Sequence, residues 1–519
     1  MSRRNRRSRA NRGGDGIRQL PWRQPVNPYT PLEVLGAGQV EQIHEASLTL
    51  LENHGMKVMH DGARRLLEQA GASVDHGSQM VRFDRGLVME NVALAPSEIT
   101  LHARNPAKNI VLGGKHLAFT SVGGPAYMND LQRGRRRGSF AEACDYIKLV
   151  QSLDIVHQEG GGPFEPIELP AETRHLDLYQ AQIRLLDKNW QPVALGAGRA
   201  RDAIAMARIG LDMSAEEMVE KPALFAIINT NSPLQLDIPM AEGLIEMARA
   251  GQVVCITPFT LAGAMAPVTL AGTLTLQNAE VLAGITLVQA VRPGGPVVYG
   301  AFSSNVDMKT GSPAFGTPEY AKAAQASGQL ARRYGIPLRS SSVTSANVVD
   351  AQSTYESAMS LWATVTGQAN IIVHAAGWLE GGLTASFEKL IVDAEMLQMM
   401  AQWLEPIVVD EESIALSAIA EAGPGGHFFG VAHTMSRYET AFYQPMLGEQ
   451  RNFESWQEAG AIDTQQRASR IWKQLLNDYE QPPLDPAVDE ALSDYVDRRK
   501  RGELQENMTK LGFSAADQC

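Results

Sequence analysis

Between residues 116 and 404 the chain repeats one pattern eight times: a short apolar or β-branched run, a break of Gly, Pro, Asn or Ser, then a helical stretch. The runs are Leu117–Val122, Asp154–Glu159, Pro192–Leu195, Ala223–Asn229, Val253–Pro258, Pro296–Phe302, Leu338–Val343 and Asn370–Ala375. The helical stretches that follow them include Phe140–Gln151, Leu176–Lys188, Arg201–Leu211, Pro239–Ala250, Gln277–Val291, Pro318–Tyr334, Ala351–Ala363 and Lys389–Leu404. Strands that are apolar on both faces must be covered on both, and alternating amphipathic helices do this over a parallel sheet. Eight units fit the closed (β/α)8 TIM barrel, typically about 250 residues, better than an open doubly wound sheet. The expected class is therefore α/β, with the barrel over residues 113–405.

The 519 residues exceed one barrel, and a core seldom grows past about 250–300 residues before appendages form. Residues 31–112 carry helical spacing at Val40–His54, closed by Gly55, and short apolar stretches with Pro96 and Pro106, which predicts an N-terminal α+β appendage. Residues 406–519 are expected to form a helical C-terminal extension packing on the barrel, its last charged stretch a solvated face or an oligomer contact. With 44% apolar and 20% charged residues the chain is a compact globule.

Charge and cysteine usage remove several classes of function. There are 46 Lys+Arg against 58 Asp+Glu, a net −12, so nucleic acid is not expected as a partner. Eight arginines in residues 1–24 run the other way, but no apolar segment follows, which predicts a disordered tail over residues 1–30 rather than a signal. Cys144, Cys255 and Cys519 form no CxxC, which fits a reducing, cytoplasmic setting and leaves no cysteine-based zinc site; no metal site is expected. Residues 250–279 lack charge, yet Pro258, Pro267 and repeated Gly and Thr argue for a buried strand and loop, not a membrane span.

Familiar motifs are weak here. Leu195–Ala203 (LGAGRARDA) has Arg201 where GxGxxG needs its third glycine, and neither GxxxxGK[ST] nor GxSxG occurs. His427 and His433 are six apart, not the four that place two ligands on one helical face. Met396, Met399 and Met400 read as packing, and Asp393 and Glu395 as solvated or capping groups on a helix.

In a barrel of this kind the active site is built by the loops at the C-terminal ends of the strands. In this sequence those loops are rich in rings and amides: Tyr127, Phe164, Phe259, Tyr299, Phe302, His374, Trp378 and Phe387, with few basic side chains. A cation without hydrogen-bond donors, such as a quaternary ammonium, can be held only by ring faces and dipoles. Ordinary packing at the barrel rim is the competing reading for each ring.

Several long stretches resemble the trimethylamine methyltransferase family, which includes glycine betaine methyltransferases. They are INTNSPLQLD (228–237), ITPFTLAGAMAPVTLAGTLTLQNAEVLAG (256–284), VVYGAFSSNVDMKTGSPAFGTPE (297–319), HAAGWLEGG (374–382) and GPGGHFFGVAHT (423–434), within a likeness covering most of residues 35–460. The resemblance implies a TIM barrel that moves a methyl group from an N-methylated amine to the Co(I) of a cognate corrinoid protein, binding no corrinoid cofactor itself. A cytoplasmic homo-oligomer with no membrane partner is expected. Archaeal trimethylamine enzymes of the family carry pyrrolysine, and this chain has only standard residues, so a quaternary amine such as glycine betaine, carnitine or proline betaine is the expected substrate.

By the same resemblance, Tyr299, Phe302, Trp378, Phe259 and Tyr127 would surround the cation, and Asn229, Gln277 and His374 would orient its polar end. Arg339 would pair with a carboxylate or form a structural ion pair. Gly425 and His427 would face the corrinoid. A betaine-binding sensor without turnover, or a demethylase with a folate acceptor, are the rival readings.

Overall fold

A computed structural model describes residues 17–504. Eight strands, β1 Ala118–Ser121, β2 Gln158–Glu159, β3 Asn189–Trp190, β4 Phe225–Ile228, β5 Val253–Ile256, β6 Val297–Gly300, β7 Leu338–Ser341 and β8 Ile371–Ala376, form one parallel sheet. The ladder runs from β4 through β8 to β1, β2 and β3, and a parallel bridge Trp190–Leu224 joins its two edges, so the sheet closes as a barrel. The barrel helices are α1 Phe140–Ser152, α2 Arg174–Leu185, α3 Ala197–Leu211, α4 Ile238–Arg249, α5 Leu270–Val291, α6 Pro318–Tyr334, α7 Ala351–Thr366 and α8 Phe387–Trp403.

Alternation along the strands assigns the two faces. Phe225, Val253, Cys255, Val298, Ile371 and Val373 form an inner cluster, whereas Ala226, Ile228, Val254, Ile256 and Val297 belong to the outer core under the helices. An antiparallel pair, Glu98–Leu101 with Ile110–Gly113, plugs the N-terminal end: Ile99, Leu101, Ile110 and Leu112 pack into the inner cluster. The third strand is displaced from the expected 192–195, because Pro192 has no N–H for a ladder and the run Val193–Leu195 lines the mouth instead.

The charge-free stretch resolves into two pieces. Phe259–Ala262 pairs with Phe302–Val306 above the barrel, and α5 begins at Leu270, after the N-cap Thr269. Helix α5 is long and apolar enough to cross a membrane by length and composition, but 83% of that window is buried. Three N-terminal helices, Ala37–Asn53, Asp61–Gln69 and Arg85–Leu94, lie against it and explain why it needs no polar face.

The first and last described segments differ from a free tail and a simple cap. From residue 17 the N-terminal segment lies across the bottom of the barrel: Trp22 packs on His157 at 5.8 Å, His157 Nε2 donates to the Arg23 carbonyl at 2.9 Å, and Leu117 N–H donates to Pro25. Residues 1–16, with six of the eight arginines expected in a disordered tail, lie outside the described residues. At the other end, Thr464–Asn477 packs on α8 and α1, and Pro486–Lys500 on α2 and α3. Asp202 on α3 holds the last helix through Arg499 (2.7 Å) and Tyr495 (2.8 Å), so this stretch is not a solvated face. Residues 406–442 do not join that packing; their hydrogen bonds stay within the segment.

Candidate active site

At the C-terminal ends of the strands a cavity of about 400 Å³ opens. Six of the residues singled out from the sequence meet there: Asn229 after β4, Phe259 after β5, Phe302 after β6, Arg339 on β7, and His374 and Trp378 at the end of β8. The six are carried by five strands or the turns beyond them, which is how a barrel converges distant sequence on one point.

The rings form one continuous wall. Phe302 lies 5.0 Å from Phe259, 6.1 Å from His374 and 6.2 Å edge-on to Trp378, and His374 is 4.5 Å from Trp378. Behind them Phe315, not singled out from the sequence, stacks on Phe302 at 5.5 Å with an interplanar angle of 6°. Trp378 is oriented by its indole N–H, which donates to the Thr344 carbonyl at 3.0 Å.

Arg339 is the unusual group. Its side chain is 1% exposed, its guanidinium Nη1 donates to the Ala301 carbonyl at 3.2 Å, and its Nε has no partner. The guanidinium carbon lies 5.0 Å from the Phe302 ring centre, and among the described residues no carboxylate pairs with it. Among the described residues no Asp or Glu lines the cavity. Burial lowers the Arg339 pKa, yet a guanidinium remains charged, so the cavity carries one uncompensated positive charge.

His374 sits at φ +59°, where β8 loses register with β1 between Ile372 and Ala376. A non-glycine residue in this region costs on the order of 1 kcal/mol and persists only where its surroundings hold it. Here the kink belongs to a residue lining the cavity. Burial, and then the nearby Arg339 charge, push the imidazole well below its ordinary pKa, so it is neutral; its Nδ1 has no partner.

Buried carboxylates fix the surrounding loops from behind. Glu159 accepts the N–H groups of Gly161 and Gly162, both at 2.9 Å, and the amide of Gln182; burial pushes its carboxyl up to about 7. Glu280 accepts Thr230, Ser232 and the Leu234 N–H at 2.5–2.8 Å, bracing the loop that follows Asn229. Glu356 takes the Thr344 hydroxyl (2.5 Å) and Ser345 N–H (2.8 Å). Asp393, paired with Lys389, accepts the Gly377 N–H at 2.8 Å. The expectation that Asp393 and Glu395 are solvated or capping groups is therefore corrected: both are buried, and Glu395 anchors Tyr443, Met446 and Leu447.

The remaining expected site residues lie elsewhere. Tyr299 points outward from β6, stacks on Tyr334 at 6.2 Å and donates to Asn278 at 3.0 Å. Gln277, two turns into α5, is bonded to Ser303 (2.6 Å) and Ser327 (2.9 Å) behind the barrel wall. Tyr127 is at the rim and does not line the cavity; the guanidinium groups of Arg135 (3.5 Å) and Arg137 (4.2 Å) already lie over its ring. Gly425 and His427 are exposed in the 406–442 segment and do not line the cavity.

Glycines complete the wall at Gly123, Gly124, Gly160, Gly161, Gly381 and Gly382. At Gly123 a Cβ would stand 1.9 Å from the Gly160 carbonyl oxygen, so the first two strand ends approach closely only because both carry glycine. Among the described residues no three His, Cys, Asp or Glu side chains gather as metal ligands.

The trimethylamine methyltransferase (MTTB) family profile matches residues 2–503. A glycine betaine methyltransferase of Desulfitobacterium hafniense is 37% identical over 90% of this chain and 97% of its own. A trimethylamine methyltransferase of Methanosarcina acetivorans is 30% identical over 90% of this chain and 95% of its own. Among solved structures, the monomethylamine methyltransferase of Methanosarcina barkeri aligns with a TM-score of 0.47 at 10% identity, covering 86% of this chain and 93% of that one.

Proposed function

The chain belongs to the trimethylamine methyltransferase family, and from that premise we propose that it moves a methyl group from a carboxylate-bearing quaternary amine, with glycine betaine the simplest, to the Co(I) of a corrinoid on a separate protein. The observation that carries the substrate class is Arg339: a buried guanidinium that, among the described residues, has no carboxylate partner and lies in a cavity lined by no acid. A bare cation entering such a cavity meets a like charge in a poorly screened interior. A zwitterion supplies the missing anion to Arg339 and leaves its ammonium for the rings of Phe302, Phe259 and Trp378.

The chemistry is an in-line displacement on carbon. The acceptor supplies the electron pair that forms the new bond to the methyl group, and the C–N bond breaks with its pair going to nitrogen. The quaternary nitrogen already carries the positive charge that this departure neutralises, so no proton transfer is required, consistent with a neutral His374. Trimethylamine at neutral pH is either an uncharged amine, a poor leaving group's precursor, or a protonated cation that Arg339 repels. Asn229 and His374 orient the substrate, the rings exclude water, and the open mouth admits the acceptor to one N–CH3.

A strongly reducing acceptor fits the cytoplasm, which is the compartment assigned by this reading. The test is anaerobic absorption spectroscopy of the purified full chain with free cob(I)alamin, and again with the cognate corrinoid protein. The panel is glycine betaine, carnitine, proline betaine, choline and trimethylamine. Loss of the Co(I) band with a carboxylated quaternary amine is the expected result; turnover confined to choline or trimethylamine, or none with either acceptor, contradicts it.

A further inference from the structure

Residues 406–442 combine two properties that do not belong together in a finished monomer. Their hydrogen bonds stay among themselves, including the Arg437–Glu412 pair, and only Ala418 and Val431 are buried. Yet eleven large apolar side chains in this lobe are exposed, among them Ile407 (88%), Val409, Leu416, Phe429 (84%), Tyr438 and Phe442 (80%). If each hides about 100 Å² when covered, the lobe removes on the order of 1,000 Å² of apolar surface, above the roughly 800 Å² per partner of a stable interface. Isolated monomers rarely leave more than about 300–600 Å² exposed in one patch.

The same chain has a second unpartnered apolar surface. On α7, Tyr355, Met359 and Trp362 share one face at helical spacing and stay exposed; on α8, so do Met399 and Trp403. The two helices form one strip, because Trp362 meets Trp403 at 4.7 Å, and Tyr29 extends it at 4.7 Å from Trp403. The lobe leaves the barrel at the end of α8, beside this strip, and does not cover it.

We propose that the occupant of the strip is the 406–442 lobe of a second copy of this chain, given and received reciprocally about a two-fold axis. A lobe rooted next to its own strip, which stays uncovered, reaches the equivalent strip of a partner when the two α7–α8 faces meet, and the exchange closes at two copies. Both apolar surfaces are then buried at once, with no third component. Gly425 and His427 belong, in this arrangement, to an interface between copies rather than to a corrinoid-facing surface. The inference does not depend on the methyl-transfer reading.

Sedimentation velocity of the full chain at micromolar concentration tests it. The expected mass is that of a dimer or a closed multiple of one. Phe429→Ser with Phe442→Ser in the lobe, and Met359→Ser with Trp362→Ser on the strip, should each halve the mass, with circular dichroism confirming that they fold. Mixing the two variants should restore dimers, because one lobe and one strip remain intact between them. Hydrogen exchange on the unaltered chain gives an independent reading: protection of 407–442 and 355–362 should rise together with concentration. A monomeric chain, strip variants that stay dimeric, or a lobe protected only when corrinoid protein is added would overturn the proposal.

Discussion

The guanidinium of Arg339 lies 5.0 Å from the centre of the Phe302 ring, a buried charge resting on an aromatic face with no anion beside it. The two residues come from neighbouring strand ends, β7 and β6, and they set the two halves of one binding problem. Phe302 and its neighbours offer surface to a cation; Arg339 offers its open donors to an anion.

The ring wall should bind in proportion to its faces. Cation–ring contacts contribute about 0.5–2 kcal/mol each, so Trp378→Ala is expected to raise KM for a quaternary amine roughly 3- to 30-fold. Trp378→Phe keeps a ring but loses the bond to the Thr344 carbonyl, and should have a smaller effect. Steady-state kinetics with both variants check this; unchanged KM in Trp378→Ala removes that ring from the cage.

Asp393 and Lys389 should act as a unit. Asp393→Asn leaves a fully buried ammonium without its counter-charge, a loss of about 3–5 kcal/mol of stability. The double variant Lys389→Met with Asp393→Asn removes both charges and can keep an acceptor for the Gly377 N–H. It is expected to recover most of the loss in a urea melt, whereas additive losses would show that the pair is not coupled.

The fold was largely legible because its strands are apolar runs punctuated by Gly and Pro. What sequence could not supply was parity and depth. Tyr299 and Arg339 sit on adjacent strands, yet one faces the helices and the other the barrel, which only the inner cluster of Val298 and Val373 decides. Gln277 reads as the first residue of its helix until Thr269 is recognised as the N-cap, which puts it two turns in. Glu159, Glu280, Glu356 and Asp393 are ordinary acids in sequence; Glu280, for one, braces a loop 46 to 50 residues away. Arg135 and Arg137, eight and ten residues beyond Tyr127 in sequence, are the cations that its ring already carries.

His157 should make stability depend on acid. Its Nδ1 accepts the Phe119 N–H at 3.0 Å and its Nε2–H donates to Arg23, so the ring is neutral, and burial holds its pKa down to about 4. Between the ordinary value of about 6.5 and that depressed value, the unfolded chain binds the extra proton and the native chain does not. Stability is complete above about pH 6.5 and falls as pH drops through the window, by about 3 kcal/mol in all from this group. Denaturant melts from pH 7 to pH 4 should show His157→Gln with a shallower decline than the unaltered chain; parallel curves would contradict the assignment.

The most direct measurement of the substrate class is calorimetric binding of a matched pair, glycine betaine and choline, to the unaltered chain and to Arg339→Gln. The pair shares its trimethylammonium head and differs in carboxylate against hydroxyl. A charge-assisted bond contributes about 1.5–3 kcal/mol, so glycine betaine should bind roughly 10- to 100-fold more tightly than choline. Arg339→Gln should erase that preference, weakening glycine betaine and, with the like charge gone, tightening choline. Equal affinities in the unaltered chain, or a preference that survives Arg339→Gln, would contradict a cavity built for a zwitterion.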